Sequence, residues 1–227
     1  MMGLLKAEMS KLFCDKKIKI IFFLITLYLF YSFFIVEPLL DRTFEEWVVS
    51  GTTDSIIMNF LFGIVAATIF TIDYANCTYK NFLPYSKKIN VFIAKVIVNV
   101  IGVLLFLLFW YIVVLIFSVI LSEQINLDII SPFICRFFIQ YLMVLFHSGL
   151  IIIVGTFTKN SAIANGFTIV SWLLYSFIPV NGKLFYDFIV AGYKWKSPFN
   201  IVLVLIFVSW YVISCLIGFI VFFRQEE

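Results

Sequence analysis

The stretch DYANCTYKNFLPYSKKINVFIAK, residues 73–95, decides how the rest of the chain is organised. It is short, polar and cationic, and it lies between two long apolar runs. A helix can continue through it as far as Leu83, where Pro84 should end it. Its lysines indicate a cytoplasmic position by the positive-inside rule. We therefore interpret it as an inner segment that joins two membrane spans and that a soluble partner can bind.

The composition is typical of a membrane protein. Of the 227 residues, 63% are apolar and only 13% are charged, whereas a soluble domain has about 25% charged residues. The net charge of +3 does not indicate nucleic-acid binding, because the cations flank the apolar runs, where they set orientation. The four cysteines form no CxxC pair, so neither a disulfide framework nor a metal site is predicted. We predict an all-α polytopic membrane protein.

The apolar runs predict two units along the chain, an interfacial amphipathic helix at residues 1–17 and a six-helix transmembrane domain at residues 18–227. Glu8 is placed with the polar residues of the first unit, away from an apolar face formed by Met2, Leu5, Met9, Leu12 and Phe13. In the second span, small residues should let another helix approach closely; they are Gly63, Ala66 and Ala67. The six spans cover about 18–36, 56–72, 91–121, 129–157, 161–178 and 199–223.

The distribution of cations predicts the orientation. Eleven of the sixteen Lys and Arg residues fall on segments that this topology places inside, and four fall outside. Both termini are therefore predicted to be cytoplasmic, as an even number of spans requires. Residues 37–55 are acidic and should form an outer loop, in which Phe44, Trp47 and Val48 make one face of a short helix resting on the bilayer surface. Residues 180–197 are predicted to form a re-entrant or surface hairpin.

The sequence indicates no catalytic chemistry. It contains no GxSxG, HExxH or Walker A motif and no paired membrane aspartates, so we predict neither an enzyme nor direct ATP binding. His147 and Ser148 are adjacent on a predicted helix and should point about 100° apart, which disfavours a catalytic dyad. Arg136 and His147 are either structural residues or the polar lining of a transport path, and Arg136 could also extend to the outer headgroups.

One ordered pattern in the opening stretch carries a family resemblance. Asp73 closes the second span, and it is followed by Asn76-Cys77-Thr78, Lys80, Pro84-Tyr85-Ser86-Lys87 and Lys95. This order resembles the ABC-2 (type V) membrane subunits of ATP-binding-cassette exporters, which have an acidic residue, a pattern close to N-G-T, a basic residue, P-x-S-[RK] and a lysine. Cys77 replaces the usual glycine, which should make the turn there less open. The N-terminal LLKAEMSKLF is similar to the interfacial helix of that family, so the resemblance covers the whole predicted topology.

The resemblance implies a multi-pass permease subunit in a bacterial cytoplasmic membrane. Such subunits dimerise, with an identical chain or a paralogue, and sit on two ATPase chains that bind ATP and Mg, so this chain would need no cofactor of its own. Spans one and five would form the dimer interface, with Phe22, Ala162, Gly166 and Phe167. The segment 73–88 would be the coupling helix, with a smaller contact at the turn 158–160. The implied coupling residues are Asp73, Asn76, Thr78, Tyr79, Lys80, Phe82, Leu83, Lys87 and Lys159.

Several points of function stay open at the level of sequence. Tyr79, Phe82 and Leu83 share a helical face, which either lies on the bilayer or fills a groove on the ATPase. The 29 phenylalanines favour amphipathic or apolar peptides as cargo, as in exporters of phenol-soluble modulins or in bacteriocin immunity, although lipid contact would also explain them. The alternatives are a substrate-binding membrane subunit of an uptake system, an exporter of a drug or lipid, an intramembrane enzyme and a structural sensor partner. The coupling pattern favours the peptide exporter.

Overall fold

The structure is a computed structural model that describes residues 2–36, 43–53, 55–75, 87–122, 125, 127–177 and 201–224. Every regular element in these ranges is helical. A π-helical turn, Ser32–Val36, continues the helix that ends at Tyr31, and a short 3-10 turn, Leu127–Ile129, precedes the helix that begins at Ile130. The helices are α1 (Met2–Cys14), α2 (Lys16–Tyr31), α3 (Phe44–Thr53), α4 (Ser55–Ala75), α5 (Lys88–Leu121), α6 (Ile130–Thr158), α7 (Ser161–Phe177) and α8 (Ile201–Arg224).

Four helices in the described part of the chain are long and apolar enough to cross a membrane. They are the helices at Lys16–Ile35, Lys88–Leu121, Ile130–Thr158 and Val204–Arg224. Two shorter apolar helical stretches, Leu61–Asp73 and Ser161–Ser171, lie in α4 and α7. The structure therefore supports a multi-pass protein, and six spans remain a prediction.

Helix α5 is the longest of the described helices, and it packs against most of the others. Its 34 residues extend about 51 Å, well beyond the roughly 30 Å of a bilayer core. It contacts α1, α2, α3, α4, α6 and α8. An aromatic row joins it to α2, where the ring of Phe22 stacks on Phe106 at 4.2 Å between centroids and meets the edge of Phe109 at 5.0 Å. The long α5 thus connects elements at both ends of the molecule.

Small residues bring α4, α6 and α7 close together, as predicted for the patch in the second span. A Cβ atom at Gly63 would lie 2.2 Å from Thr168 Cγ2, so only glycine fits there. Ala66 and Ala67 pack in one buried cluster with Ile151 and Ala164. This interface is made by close backbone approach, which leaves little freedom for sliding.

The placement predicted for α3 is wrong. Phe44, Trp47 and Val48 do share one face, but this face is buried, and Trp47 stacks on Phe33 at 5.3 Å between ring centroids. Helix α3 therefore packs on the π-helical turn after α2 and on α5 instead of resting on the bilayer surface. The physical reason is that tryptophan suits an interfacial depth but equally suits an aromatic contact inside a protein. The predicted hairpin at 180–197 lies outside the described residues.

Candidate functional site

Four charged side chains from three helices meet at the end of the bundle where α1 lies. They are Glu8 and Lys11 of α1, Asp73 of α4 and Lys95 of α5, and we call them the charge cluster. Lys95 Nζ lies 2.6 Å from Asp73 Oδ2 and 3.2 Å from Glu8 Oε2. Lys11 Nζ lies 2.7 Å from Asp73 Oδ1 and also pairs with Glu8. Each ammonium thus contacts both carboxylates.

The local sequence explains why α1 reaches this position. Glu8 and Lys11 are three residues apart and share a helical face. Leu12, on the same side of α1, is buried against α5 at Gly102, where a Cβ atom would lie 3.1 Å from Leu12 Cδ2. Lys95 also donates a hydrogen bond of 3.0 Å to the carbonyl oxygen of Ile69 in α4. Helix α1 is therefore docked on α4 and α5 by apolar contact and by charge.

Burial makes the charge cluster sensitive to the loss of any single charge. The side chains of Asp73, Glu8 and Lys95 are only 1–2% exposed, and that of Lys11 is 20% exposed. Two positive and two negative charges cancel, so the desolvation penalty is offset only while the charges stay balanced. Removing one of them leaves a buried charge without full compensation. The charge cluster consequently fixes the ends of α1, α4 and α5 relative to one another.

The position predicted for Glu8 is wrong. The helical pattern predicts that Glu8 lies with the polar residues that face away from the apolar side of α1, whereas Glu8 is 3% exposed and contacts Lys95. Average amphipathicity cannot show that a charged residue is buried when its partner lies 87 positions away. One signal of the charge cluster was present in the sequence. Asp73 and Lys95 carry opposite charges at the two ends of one short segment between apolar runs.

The structure places three of the predicted coupling residues. Asp73 belongs to the charge cluster, and Lys87 is exposed directly before α5. Lys159 follows α6 in a left-handed conformation with φ 54°, and its backbone N–H bonds the carbonyl of Gly155. Since a Cβ at Gly155 would contact Phe70 in α4, this turn lies at the same end as Asp73. The remaining coupling residues lie outside the described ranges: Asn76, Thr78, Tyr79, Lys80, Phe82 and Leu83.

The two predicted transport-path residues are not brought together. Arg136 and His147 are both buried in α6, at 4% and 5% exposure. They are separated by eleven residues, which is about 16 Å along a helix. His147 faces α4, with its Nε2 atom 3.3 Å from the position of a Cβ at Gly63. Their role in transport therefore stays a prediction.

The predicted dimer residues fall into two groups. On α7, Ala162 is exposed, Phe167 is half-buried, and a Cβ at Gly166 would meet nothing within 4 Å. This face of α7 is open to a partner. Phe22 on α2 is instead packed against Phe106 of its own chain. Among the described residues, no group of three His, Cys, Asp or Glu side chains could hold a metal ion.

Comparison with known proteins identifies the family. No curated protein matches the chain. The family model for the ABC-2 family transporter protein matches residues 4–178, from α1 to the residue after α7, and so includes the charge cluster and the segment it flanks. Members of this family are membrane components that have no catalytic site and act with an ABC ATPase. This chain therefore belongs to the ABC-2 family of transporter proteins, as the permease subunit of an ABC transporter.

Proposed function

We propose that the chain exports amphipathic or apolar peptides across a bacterial cytoplasmic membrane, with ATP hydrolysed by its partner subunit. Both termini lie in the cytoplasm, and residues 73–88 form the coupling helix. The observation that carries this proposal is the 2.6 Å contact between Asp73 and Lys95. It joins the helices on either side of the segment, so a force applied to the segment acts on α4, α5 and the docked α1 together.

The coupling helix binds the ATPase through its apolar face. Burial of a side chain such as Phe82 or Leu83 contributes roughly 1.5–3 kcal/mol, so the two could dominate a small contact. Lys80 and Lys87 lie at the rim, where they affect association rate and salt sensitivity more than affinity. The exposed Lys87 at the start of α5 supports this arrangement.

Two permease subunits form the transport unit around a two-fold axis. The open surface at Gly166 on α7 supports a close contact between subunits. The high content of phenylalanine, 29 of 227 residues, supports an apolar or amphipathic cargo. Peptides of this chemistry partition into the bilayer, and a permease with aromatic surfaces is suited to remove them from it.

The substitution Phe82→Asp tests the proposal. We expect the variant to reach the membrane but to lose co-purification with the ATPase and stimulation of ATP hydrolysis, because a carboxylate cannot fill an apolar groove. Phe92→Asp is the contrast. Phe92 is 3% exposed and packs against Phe70, Phe219 and Phe222, so its replacement should disturb insertion and folding instead. Normal pull-down and turnover from Phe82→Asp would show that this segment is not the coupling helix.

A further inference from the structure

Three exposed lysines lie in the first turn of α2. They are Lys16, Lys17 and Lys19, and we call them the lysine patch. Lys6, on the exposed face of α1, extends the same positive charge to that helix. Within the described part of the chain none of these four side chains makes a salt bridge, in contrast to the lysines of the charge cluster. Asp15 lies among them, and its carboxylate accepts from the backbone N–H of Lys17 at 2.7 Å. The junction of α1 and α2 therefore carries a net positive charge that is open to a partner.

The lysine patch lies at the end of an exposed apolar stripe on the same helix. Lys16, Ile20, Phe23 and Leu27 follow one another at intervals of four, three and four residues, which places them on one helical face. The three apolar side chains are 51–65% exposed, whereas the opposite face of α2 is buried in the bundle. Since α2 is long and apolar enough to cross a membrane, acyl chains of the bilayer cover this stripe.

The dimensions of this surface match one phospholipid. Lys16 and Leu27 are eleven residues apart, which is about 16 Å along a helix. This is roughly half of the 30 Å hydrocarbon core, the depth of a single leaflet. A phospholipid can thus place its phosphate among the lysines while its acyl chains lie along the stripe. A free phosphate ion would contact the lysines alone and would leave the stripe unused.

We propose that the lysine patch and the apolar stripe together bind an anionic phospholipid. The ammonium groups contact the phosphate oxygens, and each lysine close to an anionic headgroup layer strengthens binding about fivefold. A zwitterionic lipid has no net charge and gains less from the same surface. A single residue, Asp15, joins α2 to α1, so the bound headgroup also restrains the end of α1 that follows the charge cluster. The proposal requires only that α2 spans the membrane and is independent of the cargo. In detergent without phospholipid the lysine patch lies in water, so it acts only in a bilayer.

Site-specific quenching in nanodiscs tests which lipid lies on the stripe. In a full-length chain without native cysteines, a bimane fluorophore is attached at Ile20→Cys, next to the lysine patch. The nanodiscs contain equal amounts of phosphatidylglycerol and phosphatidylcholine, and bromine atoms on the acyl chains of one lipid or the other quench the fluorophore. The reference position is Ile120→Cys in α5, where the native side chain is 62% exposed and the surrounding segment 111–135 contains no Lys or Arg.

We expect phosphatidylglycerol to be enriched over phosphatidylcholine at least about fivefold at Ile20→Cys, and the two lipids to quench about equally at Ile120→Cys. Equal enrichment at the two positions would overturn the proposal, because it would reflect the whole protein and not this surface.

Two matched charge removals complete the test. Lys16→Gln with Lys19→Gln should abolish most of the enrichment at Ile20→Cys. The control is Lys87→Gln with Arg224→Gln, which removes two exposed cations from α8 and from the start of α5. This control should keep the enrichment at Ile20→Cys within about twofold of the unsubstituted chain. Enrichment that survives the first pair, or that both pairs remove to the same extent, would show that the lysine patch does not select the lipid.

Discussion

Replacing Lys95 with methionine should be among the most damaging single changes in the chain. Methionine retains much of the side-chain length but removes an ammonium that lies 2.6 Å from Asp73 and 3.2 Å from Glu8. The two carboxylates, whose side chains are only 1–2% exposed, then share the ammonium of Lys11 within the charge cluster. Removing one partner of a buried ion pair costs about 3–5 kcal/mol, because the charge left behind is not compensated.

The expected loss is large enough to measure as a melting temperature. For a chain of about this size each kcal/mol changes Tm by about 2–4 °C, so Lys95→Met should lower Tm by about 10 °C. Thermal unfolding of the purified protein in detergent, followed by tryptophan fluorescence, measures this change. Lys19→Met is the matched control, because Lys19 is an exposed lysine near the same end of the bundle. It should change the free energy of unfolding by no more than about 0.5 kcal/mol.

A double substitution separates charge balance from general damage. Asp73→Asn combined with Lys95→Met removes one charge of each sign and leaves Glu8 paired with Lys11. Groups in one ion network are coupled by about 0.5–3 kcal/mol, so the double variant should be more stable than the sum of the single losses predicts. Strict additivity, or a Tm for Lys95→Met equal to that of Lys19→Met, would refute the reasoning from buried charge.

Two further predictions follow from the other surfaces. In intact cells an impermeant maleimide should label Glu45→Cys on the exposed face of α3 but not Lys87→Cys; equal labelling of both would contradict the predicted orientation. Gly166→Leu should leave Tm unchanged and weaken dimers in cross-linking, since a Cβ there meets nothing within 4 Å. Gly63→Ala should instead lower the free energy of unfolding by about 1–3 kcal/mol, since its Cβ would lie 2.2 Å from Thr168. Reversed effects of the two substitutions would show that Gly166 is not at the interface.

The helices were predictable because hydrophobicity is a local property. With the π-helical turn counted as part of α2, each predicted apolar run coincides with a helix to within three residues at its described ends. Long runs of apolar residues determine such helices wherever they pack, because a backbone in lipid must satisfy its own hydrogen bonds. The close contact around Gly63 was predictable as well, because a patch of small residues lets another helix approach closely.

The polar contacts were not predictable in the same way. Glu8 pairs with Lys95, which is 87 residues away, and Gln140 donates to the carbonyl of Thr52, which is 88 residues away. No periodicity of the sequence indicates such distant partners. The insertion of α3 did leave a local signal. Its buried residues follow the spacing of one long helical face, and Thr43 with Glu46 forms a capping box. These features indicate a packed helix with defined ends and argue against a loose surface segment.

The charge cluster and the last turn of α3 are connected by α4 and α5. On α5, Lys95 contacts the charge cluster and Trp110 holds the last turn of α3, fifteen residues or about 22 Å along one unbroken helix. On α4, Asp73 lies at one end, and α3 precedes the other end by a single residue. A packed helix moves as a rigid body, so a displacement at the charge cluster must either be absorbed in side-chain contacts or appear at α3.

A Cβ at Gly51 would lie 2.6 Å from the ring of Phe33, so the last turn of α3 is packed as closely as the helices around Gly63. Gln140 adds one hydrogen bond to that turn, from its amide nitrogen to the Thr52 carbonyl. We therefore expect α3 to move together with the helices on which it packs.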